Sequence, residues 1–204
     1  LGIIEGDDAY SQNDTYRNRN LSFKSKLFEF SLQGEFNFLP FSTGSKKLVI
    51  VTPYVFAGLG IFHFNPMALY QGRWFALQVI GTEGQGTTFN SLKRYSLTQF
   101  NIPFGVGIKF NAARRISISL EWGLRKTFTD YLDDVSGRYA DPVLLGAERG
   151  PVASVLSDRS FVKEGGSNVG RQRGNSFTQD WYSFAGIIIT FKMRNDEPAC
   201  AVPY

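Results

Sequence analysis

Histidine and cysteine each occur once in the 204 residues, and that scarcity removes several kinds of chemistry at the outset. A single thiol, Cys200, excludes an internal disulfide framework and any metal site built from several cysteines. Charge is sparse as well: 20% of residues are charged, and Lys+Arg 22 against Asp+Glu 18 leaves a net +4. The basic residues are scattered, with only pairs such as Lys46-Lys47 and Arg114-Arg115, so no stripe suited to nucleic acid is formed. Long apolar runs are missing too. Stretches such as Phe184 to Ile189 fall far short of the roughly 20 residues a membrane helix requires. A helical membrane protein is thereby excluded, but a β-barrel is not, because barrel strands hide their hydrophobicity in alternation.

Aromatic residues are plentiful, at 15% with 19 Phe, too many for a disordered chain. They recur with period two. From Tyr95 to Asn111, Phe100, Ile102, Phe104, Val106, Ile108 and Phe110 alternate with Gln99, Asn101, Pro103, Gly105, Gly107 and Lys109. The run Ile116, Ile118, Leu120, Trp122, Leu124 alternates with Ser117, Ser119, Glu121, Gly123, Arg125. Upstream, Phe28, Phe30, Leu32, Phe36 and Phe38 alternate with Glu29, Ser31, Gln33, Glu35 and Asn37, and a further strand carries Val49, Val51, Val55, Ala57, Leu59 and Ile61 on one face. Ala185, Ile187, Ile189 and Phe191 mark a last strand, and Leu1 to about Tyr10 reads as the end of one more. Such alternation describes strands with two different surroundings.

The connections sort by length. Short turns follow Phe41 and Asn111, whereas long polar segments fill roughly 65–94 and 132–179, and a moderate one fills 11–20. Short turns at one end and long loops at the other are the pattern of outer-membrane barrels, and a soluble sandwich rarely shows it. The polar faces mix glycine with Glu29, Glu35, Lys109, Glu121 and Arg125, a set expected to form a paired charge network in a narrow lumen. Trp122, Phe128, Tyr131, Trp181 and Tyr182 stand near strand ends, where interfacial aromatics belong. The expected fold is all-β, a small antiparallel transmembrane β-barrel. Six strand segments are visible and membrane barrels begin at eight, so upstream strands are expected to precede Leu1. The absence of a visible leader then carries no information.

Few constellations carry chemistry. His63 falls on the apolar set of its strand near the loop end, where no orienting acid and nucleophile are expected. Glu121 and Arg125 share an inward face, four residues apart, and read as lumen filling more readily than as an acid–base site. The Asp133-Asp134 pair lacks the spaced further ligands of a calcium loop and reads as solvated. Gly81-Thr82-Glu83-Gly84-Gln85-Gly86 has no following helix and reads as a mobile or folded-in loop. Arg171 and Arg173, in a glycine-rich stretch, are candidates for contact with sugar phosphates of the outer leaflet. The tail from Arg194 to Tyr204 leaves on the short-turn side and suggests a docking segment, with Cys200 able to form an intermolecular disulfide.

Several strings together resemble one family: Leu21-Ser-Phe-Lys-Ser, Glu29-Phe through Glu35-Phe-Asn-Phe-Leu-Pro, Thr52-Pro-Tyr-Val-Phe-Ala-Gly-Leu-Gly, Gly81-Thr-Glu-Gly-Gln-Gly, Arg125-Lys-Thr-Phe-Thr-Asp-Tyr-Leu-Asp-Asp-Val-Ser and Asp180-Trp-Tyr-Ser-Phe. They resemble the PorG-like outer-membrane β-barrels of Bacteroidota, which belong to the type IX secretion and gliding machinery. The resemblance covers nearly the whole chain, and Arg125 to Ser136 is its most specific part. It implies an eight-stranded barrel, with the sequence holding about the last five and a half strands, and a role as outer-membrane anchor for a periplasmic ring of the lipoprotein PorK and of PorN. It implies no catalytic residues and no cofactor.

The expectation is therefore a barrel over residues 1–193 with a periplasmic tail over 194–204, structural and not an enzyme, embedded among outer-membrane lipids. Partner contact is expected at Lys46, Lys47, Arg114, Arg115, Arg194, Cys200 and Tyr204. The competing readings are a small pore or transporter, which needs an open lumen, and a lipid-directed barrel enzyme, which needs a nucleophile beside His63.

Overall fold

A computed structural model of the chain describes residues 1–43, 51–113 and 115–193. Its frame is one antiparallel sheet. The strands are β1 (Gly2–Asp7), β2 (Ser22–Asn37), β3 (Val51–Tyr70), β4 (Arg73–Ala76), β5 (Thr98–Ala113), β6 (Ile116–Thr127) and β7 (Trp181–Phe191). They pair in the order β1-β2-β3-β5-β6-β7, with β4 folded onto β3. Each long strand thus pairs with its neighbour in sequence, the meander from which up-and-down barrels are built. The all-β, antiparallel barrel-type fold expected from the alternation is borne out.

The residues of β3 to β6 show why the alternation is so regular. Thr52, Tyr54 and Phe56 on β3, Asn101 on β5, and Ser117, Ser119, Glu121 and Arg125 on β6 are buried. Val51, Leu59 and Ile61, Val106 and Ile108, and Leu120 and Trp122, which alternate with them, are exposed. On β2, Phe28, Phe30, Leu32 and Phe36 are exposed too, Leu32 to 81%. This inverts a soluble protein: hydroxyls and charges lie on the covered side, and the large apolar groups face outward. In water, each such side chain would forfeit about 1.5–3 kcal/mol of burial.

The chain divides into two compact units. The first comprises Leu1–Phe30, Gly60–Asn101 and Lys126–Trp181, the second Ser31–Leu59, Ile102–Arg125 and Tyr182–Tyr204. In the first unit the long connections hold helices that the period-two pattern does not reveal: α1 (Asp14–Arg19), α2 (Leu77–Ile80), α3 (Pro142–Arg149) and α4 (Pro151–Ser157). Local capping starts two of them, since Asn13 accepts from the Thr15 N–H and Asp141 from those of Val143 and Leu144, while Pro stands at the N-terminus of α3 and of α4. Leu156 of α4 joins Leu77 and Ala68 in a small apolar core, covered by Phe23, Phe75 and Val152.

The segment expected to be loop from residue 65 is ordered differently. β3 continues to Tyr70 and turns back through Gln71 and Gly72, both at positive φ (49° and 76°), so that Tyr70 faces Arg73. Two positive φ values make the mirror-image turn that matches strand twist. Glycine supplies one at no steric cost, but Gln71 is an unusual occupant, and the hairpin is therefore hidden from a search for Asn-Gly or Asp-Gly.

In the second unit, glycines make room for rings. A Cβ on Gly107 would lie 2.4 Å from Tyr54 ring atoms, and one on Gly105 would lie 2.5 Å from the Gly123 Cα and 2.7 Å from the Phe56 ring. Tyr54 and Phe56 occupy the space those side chains leave, and both are buried.

Candidate functional site

The long connections of the first unit are joined by a buried polar cluster, assembled from two of the sequence blocks that carried the resemblance. The turn at Gly81 to Gly86 is folded inward. Gly81, Gly84 and Gly86 hold positive φ, and the tight path aims Thr82, Glu83 and Gln85 into the interior, where all three are buried. The Glu83 carboxylate accepts the backbone N–H groups of Ser136 and Gly137, each at 2.9 Å, and the Arg173 Nη1 at 3.1 Å. Arg173 Nη1 also donates to the Asp134 carbonyl at 2.6 Å, and its Nη2 lies 3.9 Å from Asp134 Oδ2. Thr82 donates to Asp134 Oδ2, and the Tyr95 hydroxyl donates to Asp134 Oδ1 at 2.7 Å. One guanidinium thus faces two buried carboxylates that are otherwise saturated by short donors, the arrangement a buried ion pair requires.

Around this knot, Tyr95 stacks on Tyr131 with ring centroids 4.5 Å apart, and on Phe64 at 6.2 Å. Arg19 of α1 grips Asp8 with two bonds of 2.7 and 2.8 Å and donates its Nη1 to the Arg173 carbonyl at 2.9 Å. Burial dominates the acid–base behaviour here. It pushes the Asp134 carboxyl up to about 7, against the opposing pull of Arg173 and the Thr82 and Tyr95 donors. The Tyr95 phenol rises through burial and the neighbouring Asp134. Asp133 rises to about 6 through burial, and Asp180 to about 7 through burial and its neighbours Asp133 and Asp130.

Three sequence-based expectations are corrected by this geometry. The Asp133-Asp134 loop is not solvated: Asp134 is fully buried because Arg173, Thr82 and Tyr95 satisfy it. Arg173 is only 4% exposed, turned toward Glu83 and away from any surface contact, whereas Arg171 is exposed. Tyr131 stacks on Tyr95 and does not stand with the exposed strand-end aromatics Trp122, Phe128 and Trp181. No spacing rule links Glu83, Asp134 and Arg173, which lie far apart in the chain. The available signal was glycine density around a carboxylate, a turn that must bend sharply and can bury what it carries.

The residues expected to form a charge network lie on the covered face. In the second unit, Lys109 pairs with Glu35 and sits over the Tyr54 ring, 4.7 Å from its centroid. The Tyr54 hydroxyl donates to Glu121 Oε2 at 3.1 Å. Arg125 stacks its guanidinium over Phe56 and Phe184, at 5.8 and 5.1 Å. Glu29, in the first unit, accepts from Asn101 Nδ2 at 3.0 Å. The polar face therefore holds pairs and cation–π stacks, with the aromatic rings as fillers. His63 is on the exposed face, 3.0 Å from the Thr98 hydroxyl.

Of the residues expected to touch a partner, Lys46, Lys47, Arg114, Arg194, Cys200 and Tyr204 lie outside the described residues. Arg115 is exposed in the short turn between β5 and β6, and its carbonyl accepts the Lys192 N–H at 2.9 Å. No group of three or more His, Cys, Asp or Glu side chains suited to a metal ion occurs among the described residues. Nor is any helix among them long and apolar enough to cross a membrane.

A family model described as a domain of unknown function, DUF6089, matches residues 1–145, and the chain belongs to that family. No curated protein matches it, and no solved structure does.

Proposed function

We propose that this DUF6089 chain is an integral outer-membrane β-barrel with a structural role, anchoring a periplasmic assembly of the type IX secretion class. The observation that carries the membrane reading is the inverted sheet: Glu121, Arg125, Ser117 and Thr52 are covered while Phe30, Leu32, Leu59 and Ile187 are exposed. Lipid is the solvent in which that arrangement is stable, because a hydrocarbon surround costs exposed Phe and Leu nothing and would penalise exposed Glu and Arg.

The structural role is supported by filling. Tyr54 and Phe56 occupy the spaces left by Gly105, Gly107 and Gly123, and Lys109, Glu35 and Glu121 bond around them. A face so occupied suits a closed barrel better than a pore. His63 stands on the opposite, exposed face with Thr98 as its partner, which gives a lumenal hydrolase nothing to work with. The anchor role, with the ring lipoprotein PorK and PorN as partners, rests on the resemblance. Its expected handles are the short turns and the 194–204 tail.

Extraction, conductance and co-purification test this reading together. The chain should leave membranes only with detergent, migrate differently before and after boiling, and give no steady conductance in planar bilayers. Ring proteins should co-purify with the full chain and be lost when it ends at Met193. Steady ohmic channels would replace the anchor with the pore. Release by salt or alkali would overturn the membrane reading itself.

A further inference from the structure

In the first unit the covered side holds a cavity of about 580 Å³ that the structural role does not use. Its volume lies within the range of small-molecule sites. Its charges balance: Asp130, Asp133 and Asp180 face Arg19, Arg171 and Arg173 across it. The remaining wall is largely amide and aromatic, with Asn168, Gln172, Tyr16 and Tyr139. Two wall atoms are buried without a hydrogen-bond partner among the described residues, the Arg173 Nε donor and the Asp130 Oδ2 acceptor. Arg173 itself is 96% covered, being 4% exposed.

An unmet donor and an unmet acceptor on one wall describe what the missing occupant must offer. A phosphate or carboxylate would meet Arg173 and repel Asp130, and an ammonium would do the reverse. A hydroxyl both donates and accepts, so a polyhydroxyl ligand satisfies both atoms without adding charge to a balanced site. Amides read hydroxyls in either sense, and Tyr16, 47% exposed with Arg19 stacked 4.9 Å from its centroid, offers an open ring face for an apolar sugar surface. From these features we propose that the cavity is a binding site for a neutral oligosaccharide of a few sugar units. The same chemistry is offered by a free glycan and by the sugar chain of a surface glycolipid.

The test is calorimetric titration of the detergent-solubilised full chain with maltotriose, mannotriose and chitotriose, and in parallel with lipopolysaccharide micelles. Spermidine and inorganic phosphate serve as ionic probes. At least one neutral trisaccharide or the micelles should bind saturably. The double variant Tyr16→Ala/Gln172→Ala, with unchanged heat-modifiable migration as its folding check, should weaken that binding about tenfold or more. A trisaccharide that binds alone points to a soluble glycan source, and binding of the micelles alone to a surface glycolipid. Three results overturn the proposal: no binding by any trisaccharide or by the micelles, tighter binding of spermidine or phosphate, or sugar binding unaltered in the folded double variant. Asp133→Asn, which keeps the size of a wall residue while removing its charge, should leave sugar affinity within about threefold. A larger loss would mark the site as ionic.

Discussion

Replacing Arg173 by Met puts the buried loop cluster to its hardest test. The substitution keeps side-chain length and removes the only cation bonded to Glu83 and close to Asp134, whose side chains are both 0% exposed. Breaking a buried pair from one side costs about 3–5 kcal/mol, because a carboxylate remains without compensation. The Asp134 carbonyl also loses its 2.6 Å donor. The strands keep their own ladders, so the loss should fall on the connections between strands and leave the sheet in place. Opening of the loops should become more frequent by about a hundredfold or more, at 1.4 kcal/mol per factor of ten. Limited digestion with a protease of broad specificity, read by mass spectrometry, should show cuts in the 138–175 region at that higher rate. Heat-modifiable migration of the nicked barrel should persist. Adding Glu83→Gln should recover part of the loss, since the uncompensated charge is gone. If Arg173→Met is digested at the wild-type rate, the cluster does not hold the loops and the reasoning fails.

The other expectations concern lipid, packing and pH. Leu32→Arg, at a residue 81% exposed on β2, should cost about 2–4 kcal/mol of folding stability in lipid vesicles if it lies near the bilayer midplane. A soluble sheet would tolerate it within about 0.5 kcal/mol, as exposed sites generally do. Gly107→Val places side-chain atoms where Tyr54 stands, with the first carbon 2.4 Å from the ring, and should destabilise the second unit by about 1–3 kcal/mol in urea unfolding. Acid should tighten the loops. Asp134 and Asp180 are raised to about 7 and Asp133 to about 6, all from 3.8, so the folded loops hold protons that the opened loops release. Their contribution is complete below about 3.8 and is lost as pH rises through 6 to 7. Hydrogen exchange in the loops, corrected for intrinsic rates, should therefore show more protection at pH 5 than at pH 8. The opposite trend would remove burial as the dominant influence on these acids.

The strand positions were legible because a barrel wall is written one residue at a time. Phe100 to Phe110 and Ile116 to Leu124 alternate because each residue chooses between two solvents, and that choice needs no distant partner. The short turn at Arg115 was equally local. The helices were harder to see. α3 and α4 run for only 8 and 7 residues and start from Asp141, Pro142 and Pro151, signals that are local but brief beside the strand periodicity. The extension of β3 to Tyr70 was missed because Gln71 supplies a positive φ that sequence rules assign to Asn or Gly.

By itself the sequence determined the class of the protein, an antiparallel sheet with an inverted pattern of burial, along with the ends that carry long and short connections. Alternation depends on neighbours in the chain, and a chain of 204 residues displays it without folding. Tertiary structure alone decided what the long connections do. Glu83, Asp134 and Arg173 are separated by tens of residues and carry ordinary surface side chains. Only when the Gly81 to Gly86 turn folds inward do they lose water, and then charge must be matched by charge at hydrogen-bonding distance. The balanced cavity beside them exists for the same reason: desolvation forces each buried donor and acceptor to seek a partner, and the wall leaves two of them open.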